Sequence, residues 1–256
     1  MEKKTETSAL LLERLNEHPR DERIGFNAEK HEYFIDGDPN VISVSQIIGE
    51  FFPKFDTEFW SKKKAKQRGV PQQQVIDEWA DKGKLAADQG TYLHDQIEKY
   101  YNGIKHDRNS IEFGYFLKFV DKYPLMQPHR TEWRIFDEEV MLAGTVDMIY
   151  KNPKTGLYFM FDWKRSEKVV DAQDRPIKPS YQFAKDDLSH LSDNSYHKYA
   201  LQQNLYKHLL QKNYGIKISS TNLLVLHPNR HSYQIVSIPE MPKEIGIIMD
   251  FLKKKS

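Results

Sequence analysis

Asp147, Asp162 and Lys164 are polar residues set into two runs that are otherwise apolar, Met141 to Tyr150 and Leu157 to Arg165. β-Branched and aromatic residues dominate both runs, and neither contains proline, so each reads as a β-strand. Between them lies Lys151-Asn-Pro-Lys-Thr-Gly156, with Pro to fix φ and Gly to supply a positive φ, which predicts a hairpin. A register centred between Lys154 and Thr155 sets Asp147 opposite Asp162, with Cβ atoms about 5 Å apart. Lys164 shares a strand face with Asp162 because side chains alternate. Two carboxylates this close repel, and one takes up a proton unless a cation bridges them. Oxygen ligands favour Mg²⁺ or Mn²⁺ as that cation. The plainer alternative is a strand ion pair between Asp162 and Lys164, with Asp147 a solvated strand end. The opposite face, Val146, Met148, Phe159, Phe161 and Trp163, is predicted to be core.

The elements that must position these groups follow from caps and periodicity. Ser8 is a candidate cap for a short helix to Asn16, and residues 24–42 read as a small hairpin with Asp36-Gly37-Asp38 as a turn signal. Ser43 or Ser45 caps a helix that ends before Pro53, and Asp56 or Thr57 caps another that runs to Gly69. The latter carries Lys62, Lys63, Lys64, Lys66 and Arg68 beside Phe59 and Trp60. A basic helix is ordinarily a solvated face, but basic plus aromatic is also how a nucleic-acid strand is gripped. After Pro71 a long helical stretch runs to Tyr101, interrupted or thinned at Gly83 and Gly90. Gly90, His94 and Glu98 share one of its faces at i, i+4 and i+8.

Ile111 to Tyr123 is an amphipathic helix, and Thr131 to Phe136 is a strand leading into the hairpin. Residues 166–195 show no periodicity and many charges, which predicts a mobile insertion with little to bury. His197 to Tyr214 is a helix closed by Gly215. Leu201, Leu205, Leu209 and Leu210 form its stripe, with Gln202 and Tyr206 on the adjacent face. Two strands, Thr221 to Leu226 and Ser232 to Ile238, and a helix from Pro242 complete the chain.

This order predicts an α/β fold, a mixed sheet covered by helices on both faces. Residues 1–82 would form an N-terminal helical and hairpin region packed on a core of 83–256. The chain has 256 residues and a formal charge of +1 from 38 basic and 37 acidic side chains, so no global field announces a polyanion partner. The absence of cysteine rules out disulfides, thiolate zinc sites and cysteine-ligated iron–sulfur clusters. No apolar run approaches the ~18 residues of a membrane span. The first residues lack the apolar core of a signal peptide. A cytoplasmic protein without membrane contact is expected.

The succession Gly90-Thr-Tyr-Leu-His94-x-x-x-Glu98, Gly144-Thr-Val-Asp147, Asp162-Trp-Lys164 and Gln202-x-x-x-Tyr206 resembles the PD-(D/E)XK nuclease superfamily. It is most similar to the RecB-type exonuclease clade, which includes mitochondrial genome-maintenance and phage exonucleases. The likeness covers about residues 83 to 226. It implies a restriction-endonuclease-like core and a metal-dependent deoxyribonuclease, most simply an exonuclease on single-stranded DNA or DNA ends. In that reading His94, Asp147, Asp162 and the carbonyl of Trp163 hold Mg²⁺ or Mn²⁺, and Lys164 orients or deprotonates the attacking water. Gln202 and Tyr206 hold the site and the substrate backbone, and Glu98 orients the site or a metal-bound water. Trp60, the four lysines of its helix, Arg68 and Arg165 would meet the DNA. The Pro of the family's name is Val146 here. A structure-selective endonuclease, or a binding module that has lost activity, are the competing expectations.

Overall fold

In the computed structural model, which describes residues 10–171, 177 and 182–255, local signals set most element boundaries. The first helix, α1 (Leu11–Leu15), is short, and strands β1 (Ile24–Asn27) and β2 (Glu32–Ile35) form a separate antiparallel pair. Its turn is 28–31, with His31 at φ 57°; Asp36-Gly37-Asp38 instead follows β2. Strand β3 (Ile42–Ser43) leads directly into α2 (Val44–Glu50). There Ser43 Oγ accepts from Gln46 N, and the Gln46 side chain accepts from Ser43 N, a reciprocal cap.

Asp56 caps α3 (Thr57–Arg68) by accepting from Phe59 N, and Gly69 ends it at φ 65°. Helix α4 (Gln72–Tyr101) then runs unbroken for 30 residues. The interruption expected at Gly83 and Gly90 does not occur. Two isolated glycines cost only about 1 kcal/mol each, too little to break a helix anchored at both ends. The proposed division at residue 82 consequently falls inside α4. In addition, β3 pairs with the main sheet, and Ile47, Ile48, Phe51 and Phe52 join its core.

Helix α5 (Ile111–Lys122) precedes the three antiparallel strands β4 (Gln127–Asp137), β5 (Leu142–Lys151) and β6 (Tyr158–Lys164). Helix α6 (Ser195–Asn213), strands β7 (Ile218–Val225) and β8 (Gln234–Ser237), and helix α7 (Pro242–Lys255) follow. The order across the sheet is β3-β5-β6-β7-β8, with β4 on the other edge of β5. Because β3–β5 and β6–β7 are parallel and the other pairs antiparallel, the sheet is mixed. Helices α2, α6 and α7 bury one apolar cluster against it. Helices α4 and α5 cover the other face through Leu93, Ile97, Phe113, Phe116 and Phe119, packed on Met148, Tyr150, Phe161 and Trp163. This is the expected α/β architecture, consistent with a restriction-endonuclease-like core.

The hairpin pairs as its turn requires: Met148 faces Phe161, and Lys151 faces Tyr158. Continued by one residue, that register sets Asp147 against Asp162. Pairing stops at Met148, however, while β3 takes the same edge of β5 only at Leu142 and Ala143. Residues 144–147 are left without a strand neighbour on that edge, and the split is where the site opens. Of the predicted core face, Val146, Met148, Phe161 and Trp163 are buried and Phe159 is half-buried.

Within 166–195, residues 172–176 and 178–181 lie outside the described residues, and the expected mobility falls on them only in part. The flanks of the segment do bury apolar groups: Val169, Val170, Ala184, Leu188 and Leu191 are all in the core. Their irregular spacing hid them from a periodicity search. Among the described residues, no helix is long and apolar enough to cross a membrane.

Candidate metal centre

Four elements bring side chains to the split between β5 and β6. Helix α4 contributes His94, β4 contributes Glu132, β5 contributes Asp147, and β6 contributes Asp162 and Lys164. His94 Nε2 lies 3.0 Å from the Trp163 carbonyl. A carbonyl only accepts, so Nε2 carries a proton. That leaves Nδ1 facing two carboxylates, 3.2 Å from Glu132 Oε1 and 3.6 Å from Asp147 Oδ2. Asp147 Oδ2 also accepts from the backbone N–H of Trp163 at 2.8 Å, which ties β5 to β6 where their ladder has ended.

Asp162 turns the other way. Its Oδ1 accepts from Gln203 Nε2 at 2.9 Å, and its Oδ2 lies 2.5 Å from Lys164 Nζ in a buried ion pair. Lys164 Nζ also stands 4.4 Å above the Tyr199 ring and 3.4 Å from Gln202 Oε1. Gln202 Nε2 in turn donates to Tyr206 Oη at 3.3 Å. Gly144 permits this approach of helix to strand, because a Cβ there would sit 2.5 Å from Tyr206 Cε1.

Burial and charge oppose one another throughout. Burial pushes the Asp162 carboxyl up, nearby Asp147 adds to it, and Lys164 holds it back, leaving it at about 6. Asp147 is also raised, chiefly by burial. Burial alone would strip the proton from His94, but Asp147 and Glu132 outweigh it and lift the imidazole to about 9. Lys164 is likewise held well above its usual value by Asp162 and Asp147, against the cost of burial, so it stays an ammonium. His94 and Lys164 thus supply the positive charge that lets Glu132, Asp147 and Asp162 converge.

The donor set suits a hard divalent cation. One imidazole nitrogen and two carboxylate oxygens, from His94, Glu132 and Asp147, lie within 4.8 Å of one another. Such a nitrogen and oxygen set fits Mg²⁺ or Mn²⁺, and no cysteine is present to favour a soft metal. The cleft beside these groups encloses about 610 Å³ and is lined by His94, Glu132, Gly144, Trp163, Lys164, Arg165, Gln202 and Tyr206, with Tyr33 and Ser43 across from them.

Several expected site residues are therefore gathered at one place: His94, Asp147, Asp162, the Trp163 carbonyl, Lys164, Gln202 and Tyr206. Glu98 is set apart. It lines an adjoining cavity with Glu13, Asp95, Arg130, Glu132 and Arg134. Burial, then Glu132 and Asp95, raise its carboxyl to about 7. Arg165 lines the cleft, yet its Nε is tied to Glu112 Oε1 of α5 at 2.6 Å, with both side chains largely buried. None of Trp60, Lys62, Lys63, Lys64, Lys66 and Arg68 lines the cleft. Their helix packs against the start of α4, where Arg68 pairs with Glu78 and Lys63 Nζ lies 4.9 Å over the Trp60 ring.

Two residues were missed in the sequence. In the sequence Glu132 is simply a member of the strand predicted over Thr131 to Phe136. Its backbone stands at φ 42°, opposite Asp147 and between the ordinary pairs Thr131–Met148 and Trp133–Val146. A positive φ is unusual for a residue with a side chain, and such strain gathers at functional sites; nothing in the residue type announces it. Gln203 is one position along α6 from Gln202, on the side that meets Asp162. No family model matches this chain, and no curated protein matches it.

Proposed function

We propose that the chain is a metal-dependent nuclease that hydrolyses DNA phosphodiester bonds, acting as an exonuclease on single strands or ends. The observation that carries this reading is the pairing of Lys164 with Asp162 beside Asp147 and His94, in an open cleft where two strands part. His94, Asp147 and Asp162, with the Trp163 carbonyl, would hold Mg²⁺ or Mn²⁺. Such an ion supplies a nucleophile at neutral pH and a sink for charge on the phosphoryl oxygens.

The chain's own groups do the rest. Asp162 and Asp147 hold Lys164 as an ammonium in the metal-free site, placed to orient the attacking water or to exchange a proton with it once a cation occupies those carboxylates. Gln203 fixes the Asp162 carboxylate, and Gln202 and Tyr199 fix the Lys164 head. His94 steadies the Trp163 carbonyl through Nε2. Lysines on α3 lie outside the cleft and could meet only a strand that continues beyond it.

End-labelled linear and closed circular DNA, single- and double-stranded, separate the alternatives when incubated with Mg²⁺, Mn²⁺ or chelator. Linear single strands should be degraded with metal and spared with chelator, and circles should survive. Equal cutting of circles would replace the exonuclease by an endonuclease. Survival of every substrate would remove the nuclease reading.

A further inference from the structure

We propose that the β1–β2 hairpin is a base-stacking wall, and that its Phe26 and His31 select single-stranded DNA by receiving one unpaired base on their rings. This rests on the nuclease reading and adds to it the residues that choose the substrate.

The hairpin sits where the sheet is incomplete. Residues 144–147 of β5 are left without a strand neighbour on the edge that β3 and β6 share. Tyr33 fastens the hairpin there, its Oη hydrogen-bonded to Thr145 Oγ1 at 2.8 Å. The cleft therefore has two unlike walls. One carries Lys164, Arg165 and Gln202, and the other carries Phe26, Ala28, His31 and Tyr33. A nucleotide is divided in the same way, into an anionic phosphate and a flat base. With the phosphate at the Lys164 wall, the base is left to the aromatic one, and phenyl and imidazole rings are both surfaces on which unpaired bases stack.

The three rings are not equivalent. Tyr33 is 6% exposed and does the fastening. Phe26 opposes it across the ladder and is half-buried, with the Tyr33 ring 4.7 Å and the His31 ring 5.1 Å from its centroid and the Arg134 guanidinium 5.7 Å over it. His31 is exposed at the end of the turn, at φ 57°. A lone two-stranded hairpin is marginally stable, so packing among its rings is needed. That need accounts for Tyr33 and for part of Phe26, but an exposed His31 ring adds little to it. A duplex must unpair and unstack a base to lay it on this wall, whereas a single strand already has its bases free.

The competing explanation is that the rings only stabilise the hairpin. His31→Asn separates the two, because asparagine accepts a positive φ and has no ring. Phe26→Leu is the second variant, and it keeps apolar bulk beside Tyr33. The full-length protein is mixed in chelator, so that no strand is cut, with single-stranded oligo(dT) carrying 2-aminopurine at successive positions from either end. Wild type should quench the probe at one position. Each variant should lose that quench, while the urea midpoint of His31→Asn stays at the wild-type value. With Mn²⁺, KM for linear single strands should rise by about 5–150-fold, the span that one base–aromatic stack covers. The rate constant kcat should fall by less, and the preference for single over double strands should shrink. A quench kept by both variants, with DNA cut at the wild-type KM, would overturn the wall and leave the nuclease standing. A quench seen in wild type and lost in both variants, with no DNA cut in Mn²⁺, would uphold the wall and remove the nuclease reading.

Discussion

Adding one methyl group at Gly144 tests how α6 is seated against β5. Its Cβ would meet Tyr206 Cε1 at 2.5 Å and Cζ and Oη at 3.2 Å. Carbon atoms in contact sit about 3.5–4.0 Å apart, so the ring must retreat by ~1 Å or the strand must bend. Neither is easy. Tyr206 is 4% exposed, and Gly144 is paired with Ile135 inside the sheet. Overpacking of this kind costs about 1–3 kcal/mol. Gly144→Ala should therefore lower the urea midpoint by that amount divided by the unfolding slope, with the slope unchanged. Tyr206→Phe keeps the offending ring carbons and gives no relief, whereas Tyr206→Leu removes them. In the Tyr206→Leu background the penalty at position 144 should shrink, giving a coupling energy of at least ~1 kcal/mol. A Gly144→Ala protein within about 0.5 kcal/mol of wild type, or a penalty unchanged by Tyr206→Leu, would refute the packing argument.

Two further outcomes concern groups outside the candidate metal centre. Glu112→Gln leaves the buried Arg165 guanidinium without its counter-charge and should destabilise by about 3–5 kcal/mol, read from urea unfolding. A smaller loss in the double variant Arg165→Met, Glu112→Leu would show that the orphaned charge is the cause. Burial, aided by Lys151 and Arg130, depresses His129 to about 4. The unfolded chain takes up this proton near pH 6.5 and the folded one only near 4, so stability from this residue is complete above pH 6.5 and falls as pH drops toward 4. Allowing for the solvent that reaches the ring, the loss is about 1–2 kcal/mol. His129→Gln should flatten stability against pH between those limits, and an unchanged slope would contradict the assignment.

Signals that are local in the chain were legible. The Ser43 cap, the Asp56 cap and the turn at 151–156 depend on a few adjacent residues, and each placed its element and, for the hairpin, its register. The pairing of Asp147 with the Asp162–Lys164 strand followed from that register. What depends on distant chain was not legible. Glu132 acquires meaning only when β4 lies beside β5 and its backbone is forced to a positive φ. Gln203 matters because α6 is rotated so that it, and not Gln202, reaches Asp162. The basic face of α3 reads as a solvated face or as a strand-gripping surface, and its placement beside the start of α4 is set by tertiary packing. Val169, Val170, Leu188 and Leu191 show the same limit in reverse, since irregular spacing conceals burial that only the folded chain creates.

Lys164 offers the most direct test of a metal-dependent nuclease. Lys164→Ala removes no ligand and lessens positive charge beside the carboxylates, so Mn²⁺ affinity should be equal or greater than in wild type. Turnover of end-labelled single-stranded DNA at saturating Mn²⁺ should nonetheless fall by about 10²–10⁴-fold, and DNA binding should persist because most phosphate contacts lie elsewhere along the strand. Cleavage by Lys164→Ala at the wild-type rate, with metal bound equally in both proteins, would contradict the role given to this centre.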